Sequence, residues 1–198
     1  GTTANRLCAS GLQAIMDAAR AIHHGDGDLY IAGGVESMSR APFVMAKSEQ
    51  AFGRAPEIFD TTLGWRFINS KLSAMYHPYS MGETAENVAR QWNISREDQD
   101  AFALASQQKY FAAKAAGKWE AEIVAVPVAQ KKGDPILVKD DEHPRMTSPE
   151  QLAALKAAFA KDGTVTAGNS SGINDGAAAL LLANQSAVDR FNLQPRAR

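Results

Sequence analysis

The sequence predicts an α/β protein: a layered αβα domain, present in part, that carries an inserted and mainly helical segment. Three observations lead there. After Cys8 the apolar residues Leu12, Ile15, Ala19 and Ile22 recur at helical spacing, with Cys8 one turn ahead of Leu12 on the same stripe. The stretch "LYIAGG", residues 29–34, reads as a buried strand followed by a flexible turn, completing a strand–helix–strand unit. Far along the chain, "GTVTAGNSSGINDGAAALLLAN", residues 163–184, returns to that style with a glycine-rich loop and a buried-looking strand over 177–183. The residues between do not share it.

Taken in order, residues 1–4 read as the tail of a strand, and the first helix is expected to stop at the glycines of "HHGDGD", residues 23–28. From about Ser39 to Tyr79, prolines, aromatics and polar residues mix without a sustained period. "SMGE", residues 80–83, is a capping-box pattern for a helix through Trp92. "SRED", residues 95–98, resembles a second one with Asp in place of Glu or Gln. It opens a longer helix, with Phe102, Leu104 and Ala105 among its apolar positions, ending near Gly117. "IVAVPV" and "ILVKD" are strands around the turn "KKGDP", and "SPEQ" is a third cap with Pro149 at the first helical position. The expected division is therefore 1–40 and 161–185 as parts of one α/β domain, 41–160 as the insertion, and 186–198 as the start of a further domain. An opening on Gly1 and an end at "LQPRAR", just past a proline, read as a piece of a longer protein.

Composition narrows the class. With 45% hydrophobic and 22% charged residues the chain is of ordinary globular make-up. Lys plus Arg number 21 against 22 Asp plus Glu, so no net field favours a nucleic acid or an anionic membrane. A single cysteine forms no intramolecular disulfide, which fits a reducing compartment. With no signal peptide and no apolar run of bilayer length, the cytoplasm is the expected location.

Cys8 is the residue on which function turns. A helix N-terminus carries partial positive charge and unpaired N–H groups, which favour the reactive thiolate and help hold a developing oxyanion. Ala9, Ser10 and Gly11 are small enough to admit a bulky substrate. The plainer alternative is a small core residue on the apolar stripe. No base is named by spacing: His23 and His24 lie at the far end of the same helix, and His77 and His143 belong to the insertion. No His, Cys and carboxylate cluster has metal spacing, so no metal is expected. The loop "AGNSSGINDGAAAL" suits a phosphate or pantetheine cradle, but lacks the P-loop lysine and the dinucleotide spacing. On the plainer reading Asn169, Asn174 and Asp175 only shape turns.

Five segments in this order, "NRLCASG", "AGGVESMS", "SMGETAENVA", "SREDQDAFALASQ" and "TAGNSSGINDGAAALLL", resemble the thiolases over the whole chain. "DGDLYIAGGVESMSRAPFVM" and "FDTTLGWRFIN" are most similar to those members of the family that act on 3-oxoadipyl-CoA in aromatic catabolism. The resemblance implies an acyltransferase in which the cysteine matching Cys8 attacks the 3-keto carbon of a 3-oxoacyl-CoA. Acetyl-CoA leaves, and free coenzyme A, a co-substrate rather than a bound cofactor, takes the acyl group from sulfur. It also implies that the insertion covers the CoA. Leu72 and Met81 match apolar residues along the pantetheine and adenine path, Arg145 a basic residue near the nucleotide, and Ser171 and Gly172 the loop on the pantetheine arm. Each has a plainer reading as core, solvated charge or turn residue. A homodimer or homotetramer is implied for the intact enzyme.

Two departures qualify the resemblance. Ser80 stands where many biosynthetic thiolases carry a histidine, which favours a degradative enzyme over an acetoacetyl-CoA synthesising one. The family's catalytic histidine, second cysteine and thioester-binding asparagine have no counterpart among these residues. General acid–base groups contribute about 10²–10⁴-fold each, so the chain by itself is not expected to turn over. A non-catalytic CoA-binding module is the competing reading. An unrelated cysteine hydrolase would need a histidine of this chain beside Cys8.

Overall fold

The computed structural model describes residues 3–198. By their contacts they form two compact units: the chain up to Pro42 together with Ile173–Arg198, and Phe43–Gly172 between them.

The first unit is built on a two-stranded antiparallel ladder, β1 (Leu29–Glu36) with β6 (Gly176–Ala183), in register from Leu29 opposite Ala183 to Glu36 opposite Gly176. Helix α1 (Ser10–His24) packs on β1 and β6, and α6 (Gln185–Phe191) on β6. Small residues set the approach: Ala18, Ala32 and Ala187 are buried. At Gly33 a β-carbon would lie 2.6 Å from the Ala178 carbonyl oxygen, so this position admits only glycine while β1 and β6 stay this close. Helix α1 ends where the glycines predicted. Gly25 takes the left-handed conformation at φ 87°, and the N–H groups of Gly25 and Asp26 return to the carbonyls of Ile22 and Ala21. His23 and His24 sit in that last turn, at the negative end of the helix.

Two expectations change. The covered face of α1 runs through Ala14, Ile15, Ala18, Ala21 and Ile22, leaving Leu12 and Ala19 exposed. The strands are not buried on both sides. Tyr30 and Ala32 lie on the covered face of β1, whereas Ile31 and Val35 on the other are 77% and 78% exposed. Of the strand expected at 1–4, residues 1 and 2 lie outside the described residues, and Thr3 and Ala4 join no strand.

The second unit carries two short antiparallel ladders, β2 (Phe43–Met45) with β3 (Ile58–Asp60) and β4 (Val126–Val128) with β5 (Ile136–Val138). Its helices are α2 (Ser70–Met75), α3 (Met81–Gln91), α4 (Arg96–Ala115) and α5 (Pro149–Ala153). The predicted caps are in place. Ser80 and Glu83 close a full capping box on α3, and Ser148 caps α5 ahead of Pro149. Ser95 accepts the Asp98 N–H, but Asp98 is one carbon too short to return to the backbone and instead accepts the Ser95 hydroxyl at 2.8 Å. Residues 161–172 group with this unit rather than with β6, because Glu86 of α3 bonds to Thr164 and Asp100 of α4 to Asn169.

Candidate functional site

Cys8 is exposed and unpaired, on a turn two residues ahead of the first residue of α1 rather than inside the helix. The residue before it, Leu7, has φ 52°, a left-handed conformation that a side chain with a β-carbon adopts at a penalty of about 1–2 kcal/mol. Side chains pin this strained turn. Asn5 Oδ1 accepts the Leu7 N–H at 3.0 Å, and Ser10 Oγ accepts the Arg6 N–H at 2.9 Å while donating to the Leu7 carbonyl at 2.7 Å. The Ala9 N–H closes on the Arg6 carbonyl at 3.1 Å. The Arg6 guanidinium reaches Gln13 Oε1 at 3.0 Å, tying the turn to the next turn of the helix.

The helix start beside Cys8 suits an anion. The Ser10 N–H is taken by the Leu7 carbonyl at 3.0 Å, but Ala9 stands at the N-cap without a capping side chain and the first turn of α1 has no acid to offset the helix dipole. A β-carbon added at Gly11 would meet no atom within 4 Å, leaving open space over that turn. No base is supplied by this helix: its 15 residues rise about 22 Å, which puts His23 and His24 far from the thiol.

In the same unit, Asp175 accepts the Ser39 N–H at 2.9 Å and the Ser39 hydroxyl at 2.6 Å, fastening the 3-10 turn Met38–Arg40 to the residues that enter β6. The Ser39 hydroxyl, then the Ser39 N–H, hold the Asp175 carboxyl below the usual carboxylate range. Asp175 is more than a turn former, and the partner that reveals it is 136 residues away in sequence.

The residues expected to meet coenzyme A all belong to the second unit. Leu72 lies on α2, whose N-cap Asn69 accepts the N–H groups of Lys71 and Leu72. Met81 is the first residue of α3 and is 80% exposed, with Ser80 before it committed to the cap. Arg145 is exposed, and its backbone N–H is fixed by Gln107 Oε1 at 3.0 Å. Ser171 and Gly172 are exposed at the end of a loop whose preceding residues are heavily bonded. A cleft of about 330 Å³ between α3 and residues 160–164, lined by Glu86, Arg90, Lys161 and Thr164 among others, includes none of these five. Among the described residues no three His, Cys, Asp or Glu side chains gather as metal ligands, and no helix is long and apolar enough to cross a membrane.

Sequence reasoning missed Glu86, Asp100 and Thr166 as buried polar residues. No local signal marks them, since acids on a helix and a threonine in a polar loop are exposed by default.

Known proteins share both the sequence and the fold. The family described as "Thiolase, N-terminal domain" matches residues 1–186. Beta-ketoadipyl-CoA thiolase of Acinetobacter baylyi is 59% identical over 198 residues, covering all of this chain and 49% of that protein. The 3-oxoadipyl-CoA/3-oxo-5,6-dehydrosuberyl-CoA thiolase of Escherichia coli is 57% identical over 199 residues, again covering all of this chain and 50% of its own length. The chain thus spans about half the length of the curated relatives it matches. Among solved structures, the Bacillus anthracis acetyl-CoA acetyltransferase superposes with a TM-score of 0.80 at 39% identity, over 98% of this chain and 48% of its own. Human mitochondrial 3-ketoacyl-CoA thiolase in complex with CoA gives 0.78 at 37%, over 98% and 47%.

Proposed function

Because the chain belongs to the thiolase family, we propose that Cys8 is the nucleophile of a CoA-dependent acyltransferase that cleaves a 3-oxoacyl-CoA, 3-oxoadipyl-CoA foremost. The observation that carries this reading is the exposed Cys8 thiol on a strained, side-chain-pinned turn ahead of an uncapped helix start.

The thiolate of Cys8 attacks the 3-keto carbon, forming a C–S bond and an oxyanion. The oxyanion collapses, the bond between the second and third carbons breaks, and the departing carbanion takes a proton as acetyl-CoA. The shortened acyl group remains on sulfur until the thiolate of free CoA attacks the thioester and Cys8 leaves. Splitting the transfer into two steps is what a covalent nucleophile contributes. The uncapped N–H groups of α1 favour the thiolate at the start and at the end of this cycle. Proton transfer falls to groups other than His23 and His24, which lie at the opposite end of α1.

On the coenzyme side, Leu72 and Met81 offer exposed apolar surface for the pantetheine and adenine, Arg145 a cation for the nucleotide phosphates, and Ser171 and Gly172 polar groups for the pantetheine amides. Ser80 is occupied as a cap, in keeping with a degradative rather than an acetoacetyl-CoA synthesising role. The names of the A. baylyi and E. coli relatives support 3-oxoadipyl-CoA as substrate. A homodimer or homotetramer in the cytoplasm completes the reading, the open apolar face at Ile31 and Val35 being surface that assembly would cover.

The test is steady-state thiolysis of 3-oxoadipyl-CoA by the protein expressed from its natural reading frame, wild type against Cys8→Ser. Loss of turnover with CoA binding retained is the expected result. Wild-type turnover in Cys8→Ser removes Cys8 from the mechanism. Saturable CoA binding by a wild type that turns over no thioester favours the binding-module alternative.

A further inference from the structure

Glu86 sits in the middle of α3 and is 3% exposed. An ionised carboxylate withdrawn from water is tolerated only when hydrogen bonds replace its hydration. All of its donors come from one place. The Thr164 N–H reaches Oε1 at 2.9 Å and Oε2 at 3.0 Å, the Val165 N–H reaches Oε1 at 2.8 Å, and the Thr164 hydroxyl reaches Oε2 at 3.3 Å. Gly163 makes the approach possible, since a β-carbon there would fall 2.2 Å from Glu86 Oε1.

A second anchor holds the same loop five residues on. Asn169 Oδ1 accepts the Thr166 N–H at 2.7 Å, and its Nδ2 donates to Asp100 Oδ1 at 2.9 Å and to the Thr164 carbonyl at 3.0 Å. Asp100 is itself buried and fixed by Arg96 Nε at 2.8 Å, and Arg96 reaches on to the carbonyls of Leu152 and Leu155. Thr166 is wholly buried, and the Ser170 hydroxyl donates to its carbonyl at 2.6 Å. The bonding runs from Gly163 to Ser170 and gives way at once to exposed Ser171 and Gly172.

We infer that Glu86 and Asn169 are positioning residues: two side-chain anchors that set loop 163–172 so that Ser171 and Gly172 meet the pantetheine arm already in place. The inference rests on the thiolase reading and deepens it. Its physical basis is preorganisation. A polar loop that must be ordered on binding loses affinity to that ordering, and one already ordered does not. The second half of the network serves the same end, because Asn169 is oriented by Asp100 and Asp100 by Arg96. Anchors that only stabilised the fold would change the amount of active protein, and not how tightly that protein holds CoA.

The test compares wild type, Glu86→Gln, Glu86→Ala and Asn184→Ala, each expressed from the natural reading frame. Asn184→Ala removes the cap of α6, in the other unit and outside the loop's network, and controls for general destabilisation. Thiolysis kinetics are read with direct CoA titration by calorimetry. Glu86→Ala is expected to raise KM for both CoA and 3-oxoadipyl-CoA about tenfold with kcat within about twofold. Glu86→Gln, which keeps one acceptor oxygen, falls between it and wild type, and Asn184→Ala keeps the wild-type KM. Wild-type KM and CoA affinity in a folded Glu86→Ala overturn the inference, as does a KM increase shared by Asn184→Ala. A wild type that neither binds CoA nor turns over removes the thiolase reading and this inference with it, a result distinct from either of those.

Discussion

Replacing Ser10 by alanine leaves the Cys8 thiol intact and takes away two of the bonds that hold its turn, while the Asn5 side chain keeps its own. One oxygen is lost, and with it the bond from the Arg6 N–H at 2.9 Å and the bond to the Leu7 carbonyl at 2.7 Å. Both are exposed, so each is worth the lower part of the usual net range of about 0.5–1.5 kcal/mol, or about 1–2 kcal/mol for the pair. The left-handed Leu7 they enclose, at φ 52°, carries a penalty of about 1–2 kcal/mol. Pins and strain are therefore of the same size. With these two bonds gone the remaining ones no longer balance the strain, and the population presenting Cys8 in its native geometry falls about 5- to 30-fold. Rapid-quench measurement of the first acylation by 3-oxoadipyl-CoA should show a rate about tenfold lower, the equivalent of about 1.4 kcal/mol. Ser10→Thr, which keeps the hydroxyl, should stay near wild type. Hydrogen exchange at the Arg6 amide should quicken in Ser10→Ala alone. A wild-type acylation rate in Ser10→Ala, with that exchange accelerated, would refute the reasoning, because the turn would then be loose without consequence.

Three further predictions concern the frame around the site. Burial raises the Glu86 carboxyl, but the N–H groups of Val165 and Thr164, the Thr164 hydroxyl and the positive charge of Arg90 outweigh it, so its pKa is held below that of an ordinary glutamate. A depressed folded-state pKa stabilises fully above the unfolded value and is lost as pH falls through the folded one. Acid denaturation followed by tryptophan fluorescence should therefore have a shallower acid limb in Glu86→Gln than in wild type. Gly33→Ala forces a β-carbon to within 2.6 Å of the Ala178 carbonyl oxygen and should lower stability by about 1–3 kcal/mol, read as a drop in the urea midpoint. Gly25→Ala has open space but a φ of 87°, and should lose about 1–2 kcal/mol by the same measurement. A larger loss there than at Gly33 would mean that contact, rather than backbone strain, had been overrated.

Helix boundaries were legible where a local side chain makes them. Ser80, Ser95, Ser148 and Gly25 each act within four residues of their partners, and each ends or begins a helix as its type predicts. Of the two ladders of three residues, β4 with β5 was legible as "IVAVPV" and "ILVKD" around the turn "KKGDP", whereas β2 with β3 falls where prolines, aromatics and polar residues mix without a sustained period. Helix α6 carried its caps in plain sight, Asn184 at its start and left-handed Asn192 at its end, but a seven-residue helix offers too few apolar positions for a stripe. Burial misled in both directions. "LYIAGG" and "GAAALLLA" have the composition of strands covered on both faces, yet one face of β1 is open. Glu86 and Asp100 have the composition of a solvated helix face, yet they are buried by partners 69 to 79 residues away. At the candidate site, the identity of Cys8 and its small neighbours could be read from the chain. The left-handed Leu7 could not, being a dihedral angle that depends on the closure made by Asn5 and Ser10.

The central claim is that the Cys8 sulfur takes the acyl group. Incubating the protein from its natural reading frame with 3-oxoadipyl-CoA, quenching in acid and mapping its peptides by mass spectrometry tests it directly. The account predicts a succinyl adduct, the shortened acyl group of this substrate, on the peptide that holds Cys8, discharged when free CoA is added before the quench. An adduct elsewhere, or substrate turnover with Cys8 unmodified under every quench time, would contradict it.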